Sequence, residues 1–255
     1  MTFSTRSRAT VAVAAALGVF VVAACDSSGA PAPDPTTAAL VTSDLAAQSQ
    51  APAAPAPVGP TRRISLDDLG YDHGDPNAPV QLIEFSDFGC GYCRRFHEEI
   101  WPVLEEEYVA TGKVYWKYMP MILGIFPNAT EAAQAGECAG EQGSFREMQD
   151  RLFADQSVWK RSDDPMADLT AMAEDLDLDV ERWRRCISNG VRDDRIAAGT
   201  QLSQQAGVRG TPTFFVLGYA PIPGALPLEL FREVLDTAHA AALRGDGPSQ
   251  GPGGP

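Results

Sequence analysis

Val80-Gln81-Leu82-Ile83-Glu84-Phe85-Ser86, followed at once by Asp87-Phe88-Gly89-Cys90-Gly91-Tyr92-Cys93, is the stretch on which the reading of this chain turns. Its first seven residues form a short apolar run that begins directly after Pro79, the pattern of a buried strand. The Cys-x-x-Cys then leads into a helical pattern, in which Phe96, Ile100, Val103, Leu104 and Tyr108 recur at helix spacing. Pro102 lies inside that pattern and predicts a kink. A strand that delivers two cysteines to the start of a helix is an arrangement with a chemical use.

Outward from this stretch, Lys113 to Met119 alternates as a second strand, with Val114, Trp116 and Tyr118 on one side. Residues from about 128 to 206 read as mostly helical. Asn128 with Glu131 fits a capping signal, and Asp164-Pro165 sets a cap and a first-turn proline before Leu169, Met172, Ala173 and Leu176. Asp179 precedes Val180, Trp183, Cys186 and Ile187, one face of a further helix. Thr211-Pro212-Thr213-Phe214-Phe215-Val216-Leu217 reads as another strand, and Leu228, Phe231, Val234, Leu235 and Ala238 as a last helix. The order strand, helix, strand, helical block, strand, helix is an α/β pattern with a helical insertion, expected at about 127–206.

The helix N-terminus carries partial positive charge and free N–H groups, which stabilise a thiolate on the first cysteine and lower its pKa. The second cysteine, about one turn on, can close a disulfide with the first. A stabilised thiolate means a stabilised reduced form, and so a more oxidising disulfide. Cys90 is therefore the expected nucleophile and Cys93 the resolving thiol. Two other readings of the pair are half of a zinc site and a purely structural disulfide. No second Cys-x-x-Cys exists to complete a zinc site, and no metal is expected.

Glu84-Phe85-Ser86-Asp87-Phe88-Gly89-Cys90-Gly91-Tyr92-Cys93, with Gly210-Thr211-Pro212-Thr213-Phe214-Phe215-Val216 far downstream, resembles the DsbA-type thioredoxin family (thioredoxin-4 type) over about 79–235. The resemblance implies a thioredoxin-like α/β fold with an inserted helical subdomain. It also implies a cis peptide bond before Pro212, beside the cysteines, with the Thr211 backbone pairing with a client peptide; an ordinary trans proline is the alternative. Gly91 and Tyr92 join Thr211 and Pro212 as expected substrate contacts. A carboxylate at the position of Glu84 helps move the proton of the resolving cysteine in such proteins; the alternative is a surface acid at a strand end. Burial raises a carboxyl's pKa toward neutrality. His97 is expected to be a solvated helix residue. The implied activity is disulfide donation to reduced exported clients, with re-oxidation by a DsbB- or VKOR-like membrane partner and no cofactor. Gly91-Tyr92 stands where the strongest oxidases carry Pro-His, which implies a less oxidising pair. The same dipeptide resembles DsbC-type isomerases, so isomerase or reductase activity stays open, as does a peptide-binding module with incidental cysteines. The DsbC type relies on an N-terminal dimerisation domain, for which the Pro/Ala stretch here is unsuited, so a monomer is expected.

The start of the chain reads as an address. Arg6 and Arg8 precede an apolar run from Val11 to Ala24, the layout of a secretory signal peptide. Val22-Ala23-Ala24-Cys25 resembles a bacterial lipobox, so residues 1–24 are expected to be a lipoprotein signal peptide and Cys25 the lipidated residue. The alternative is an ordinary signal peptide with an incidental cysteine. Residues 25–61, rich in Pro and Ala, are expected to be a disordered tether, 62–244 the folded domain and 245–255 a disordered tail. The protein would then be extracytoplasmic and membrane-anchored. Lipidation would explain an odd count of five cysteines. In an exported protein the remaining two, Cys138 and Cys186, are expected to form a structural disulfide; two unpaired thiols are the alternative. A net charge of −14 argues against nucleic acid, whose phosphates call for a basic face.

Overall fold

Strand β2 (Val80–Ser86) forms over the apolar run, bounded by Pro79 and by the turn that begins at Asp87. The computed structural model describes residues 65–246. β2 pairs in parallel with β3 (Val114–Pro120) on one side and antiparallel with β4 (Thr213–Val216) on the other. Two short strands complete the sheet: β1 (Tyr71–His73) outside β3 and β5 (Ile222–Pro223) outside β4, giving the order β1-β3-β2-β4-β5.

Register assigns the side chains to faces, because directly opposed residues share a face and alternate residues do too. Leu82, Glu84 and Ser86 lie with Trp116, Tyr118 and Phe214 on one face. Helix α1 (Gly91–Glu99) and helix α9 (Leu228–Arg244) cover it, with the Phe96 ring meeting those of Trp116, Phe214 and Phe231. Phe85 and Met119 face the other way and pack against Ala198 and Leu202 of α8 (Asp193–Gln205). A sheet covered on both faces explains why β2 carries apolar residues on both of its faces, Leu82 on one and Phe85 on the other. Gly199 lets α8 approach closely, since a Cβ there would stand 2.7 Å from the Pro120 carbonyl oxygen.

The long helical pattern after Cys93 breaks where Pro102 requires it. α1 ends at Glu99, and α2 (Trp101–Leu104) starts afresh with the proline in its first turn, where its missing N–H costs nothing. One π-helical turn follows at Glu105–Val109.

Between β3 and β4 the chain forms α3 (Ala129–Gly140), α4 (Phe145–Ala154), α5 (Gln156–Trp159), α6 (Pro165–Asp175), α7 (Val180–Ser188) and α8. Asp164 and Asp179 cap α6 and α7, accepting from Ala167 N and Arg182 N. The cap expected from Asn128 and Glu131 does not form. Asn128 adopts a left-handed backbone (φ 57°), and its side-chain amide instead donates to the Trp159 and Ser162 carbonyls. The Cys138–Cys186 disulfide joins α3 to α7. All four tryptophans are buried, Trp159 and Trp183 within the helical block, Trp116 on β3 and Trp101 against it.

The expectations for 1–24, for Cys25 and for the tether at 25–61 lie outside the described residues, as does nearly all of the tail.

Candidate active site

Cys90 occupies the N-cap position of α1, where Ser, Asp or Asn would ordinarily accept from the first N–H groups of a helix. Its thiol makes no such bond and instead donates to the Thr211 carbonyl oxygen at 3.2 Å. Loss of the proton makes the sulfur a strong acceptor, and several donors are in position. The largest influence is the Cys93 thiol, which donates to the Cys90 sulfur. Burial opposes ionisation, while the Thr211 side chain and the N–H groups of Cys93 and Tyr92 favour it. Together these hold Cys90 at about 6, well below a free thiol. With Cys90 protonated, the Thr211 hydroxyl is buried without a partner, ready to turn toward a thiolate.

Cys93 differs in kind. It is fully buried, and burial, then its hydrogen bond to Cys90 and the Cys90 charge, push its thiol well above the ordinary range. The pair is therefore one ionisable sulfur beside one that keeps its proton. Gly91 and Tyr92 between them are exposed, with Tyr92 at 65% and open space before Gly91. The Thr211–Pro212 peptide bond is cis, and both residues are buried. An open cleft of about 360 Å³ is lined by Arg209, Thr211, Pro212, Phe215 and Pro223 among others.

Glu84 is fully buried on the sheet face beneath α1. Trp116 Nε1–H donates to its Oε2 at 3.1 Å, and His97 Nε2 lies 3.1 Å from its Oε1. His97 is therefore not the solvated residue expected. It is 8% exposed and its ring stacks on Phe153. The reason is helical phase: His97 follows Cys93 by four residues and precedes Trp101 by four, on the stripe of α1 and α2 that faces the core. That spacing is the signal by which the sequence could have revealed it.

Two further residues shape the turn. Asp87 is buried and accepts from Gly89 N and Leu123 N, each at 2.8 Å, tying the end of β2 to the loop after β3. Burial raises its pKa, against the pull of those two N–H groups. Gln156, at the start of α5, donates to the Phe88 and Cys90 carbonyls and so fastens the helical block to the active turn. Asp87's bond to Gly89 N is local, but its tie to Leu123 and both bonds of Gln156 reach distant segments and have no local sequence signature. Cys138 and Cys186 are joined with an S–S distance of 1.99 Å, so neither is available as a thiolate metal ligand.

A dithiol whose first cysteine holds the N-cap position of a helix and donates to the residue before a cis proline, on a mixed sheet of this order, defines the thioredoxin-fold dithiol proteins. The family model described as Thioredoxin matches residues 70–237, and the chain belongs to that family as a DsbA-like member with an inserted helical region. Among solved structures, alpha-DsbA1 of Wolbachia pipientis superposes with a TM-score of 0.62 at 23% identity, covering 69% of this chain and 94% of that one. BdbD of Bacillus subtilis gives 0.61 at 20% identity, covering 67% and 93%. Among curated relatives, Na(+)/H(+) antiporter NhaA 3 of Salinispora tropica is 36% identical over 151 residues, 59% of this chain. The match spans only 22% of that antiporter's length. The probable disulfide bond formation protein D of Bacillus anthracis is 28% identical over 155 residues, 57% of this chain and 68% of that protein. Among the described residues, no helix is long and apolar enough to cross a membrane.

Proposed function

We propose that this protein is an extracytoplasmic thiol–disulfide oxidoreductase that donates the Cys90–Cys93 disulfide to reduced, exported client proteins. The observation that carries the reading is the asymmetry of the pair: Cys90 ionises at about 6, while Cys93 is sealed and keeps its proton. A client thiolate attacks the Cys90 sulfur, the Cys90–Cys93 bond breaks and Cys93 leaves with the electron pair and takes up a proton. A second client thiolate then attacks the client sulfur of the mixed disulfide, and Cys90 departs as a stable thiolate. The client gains a disulfide, and the protein holds the two electrons. A good leaving group at Cys90 favours this direction, because a thiol of low pKa departs faster. In this reading Thr211 pairs with the client backbone, while Gly91, Tyr92 and Pro212 shape its seat. Glu84 exchanges the proton of Cys93, and a DsbB- or VKOR-like membrane protein restores the disulfide. Cys25 carries the lipid that holds a monomer to the membrane surface.

The deciding measurement is the Cys90–Cys93 reduction potential of the full chain, by equilibration with glutathione. A value near or above about −180 mV is expected. A value near about −270 mV would move the assignment to a reductase or isomerase of the same fold. A pair that never exchanges with glutathione would leave only a peptide-binding module.

A further inference from the structure

Resting on the oxidoreductase reading, we propose that His97 is a positioning residue that loads Glu84 with the proton Cys93 takes up when a client opens the disulfide. Its Nε2 hands a proton to Glu84 Oε1, and its buried, unpartnered Nδ1 takes up the replacement.

The geometry starts from two facts about one ring. His97 Nε2 stands 3.1 Å from Glu84 Oε1, and His97 Nδ1 is buried with no partner at all. A buried N–H without an acceptor costs about 1–3 kcal/mol, and placing the ring proton on Nε2, opposite Glu84 Oε1, gives it one. The resting arrangement is therefore a neutral ring whose Nε2–H donates to the Glu84 carboxylate. Glu84 Oε2 is engaged by Trp116 Nε1–H, so Oε1 is the oxygen left to trade protons. A proton arriving at Nδ1 lets the Nε2 proton pass to Oε1. The ring ends as the other tautomer, accepting from the carboxylic acid, and no net charge has been buried.

The surrounding groups fit a relay. Glu84 and Ser86 share a face of β2, and Tyr118 of β3 stands directly opposite Glu84. The Ser86 hydroxyl neighbours both the Cys93 thiol and the Tyr118 hydroxyl, which lies within the field of Glu84 and of Cys93. Neither hydroxyl has a well-aligned partner. On the outward side, His73 of β1 and His97 both pack on Trp101, at 5.3 and 5.9 Å between ring centroids. Burial and then the Arg146 charge of α4 lower His73 to about 4, so it is neutral at physiological pH and does not retain the proton. Beyond it, Arg146 clamps Glu105 with two bonds of 2.7 and 2.8 Å at a half-exposed rim. When the client thiolate breaks the Cys90–Cys93 bond, the pair of electrons stays on Cys93. Solvent at the rim supplies one proton through His97 to Glu84, which passes it to the Cys93 thiolate and is again a carboxylate.

The test is the pH profile of disulfide opening by reduced glutathione in the full chain and in His97→Gln. Gln still donates to Glu84 but cannot pass a proton. Opening at neutral pH is expected to slow by about 10–100-fold, at or below the ordinary range for lost acid–base catalysis. The ionisation of Cys90 should stay near 6, since its main influences are Cys93, burial, Thr211 and the first N–H groups of α1. An unchanged rate and profile in a folded His97→Gln protein would overturn the relay. Should that variant not fold, nuclear magnetic resonance on the unaltered chain decides. The His97 ring nitrogens should report different tautomer populations in the disulfide and dithiol forms, and identical spectra would refute it. Failure of Cys90 to form a mixed disulfide at all would instead count against the oxidoreductase reading.

Discussion

Cys90 has two hydrogen-bond arrangements and moves between them by losing a proton. As a thiol it donates to Thr211; as a thiolate it becomes the acceptor that the first turn of α1 lacks. Its strongest donor is Cys93, so Cys93→Ala should raise the Cys90 pKa from about 6 toward the ~8.5 of a free thiol. Thiolate absorbance against pH measures this, and an unmoved midpoint would assign the effect to Thr211 and the helix terminus. The two sulfurs were legible in the sequence because their spacing and the strand before them are local. His97 and Gln156 were not, although both touch the site. Their partners are 13 and 66–68 residues away, and nothing near Gln156 announces its contacts. For His97 the phase of the apolar stripe was present, but a histidine on a helix after an active site reads as solvated unless the opposite sheet face is known.

At the scale of elements, the boundaries that proved readable were those set by backbone chemistry. β2 starts after a proline, α6 and α7 start at capping aspartates, and the α1–α2 break falls at Pro102. The strands that went unread, β1 and β5, are three and two residues long, too short for any alternation to register. Asn128 misled because a capping pattern specifies residue types and not the backbone angle that directs the side chain. The disulfide between α3 and α7 closes a separation of 48 residues, for which the chain-entropy model gives about 4 kcal/mol. Cys138→Ser should therefore lower the melting temperature of the oxidised protein by about 10 °C, on the usual scaling for a domain of this size. Calorimetry under oxidising conditions tests it, and an unchanged transition would mean that α3 and α7 are held by packing alone.

For the whole molecule, the ionisation of one sulfur becomes a dependence of stability on redox state and pH. In the folded dithiol form Cys90 loses its proton at about 6; in the unfolded chain it does so at ~8.5. Between those values the unfolded chain binds more protons, so the stability of the reduced protein rises with pH across the window. It is lost as pH falls through about 6. Cys93, shifted upward, opposes this only where an unfolded thiol would ionise, so the gain levels off near ~8.5. The disulfide form has neither thiol and no such dependence. Denaturant unfolding of both forms from about pH 5 to about pH 8.5 should show the reduced form gaining on the oxidised one. Parallel curves would mean that Cys90 is not held ionised by the fold.

The shortness of β1 and β5 also has a consequence beyond the difficulty of reading them. They are the rims of the sheet, and a long open rim invites any extended chain to add itself as another strand. A protein proposed to meet clients before they have folded meets many such chains. With rims of three and two residues it offers them almost no backbone to zip onto, so under the proposed function a visitor is held chiefly by its mixed disulfide with Cys90. Contact then ends when the covalent bond does, and turnover needs no separate step to peel the client away.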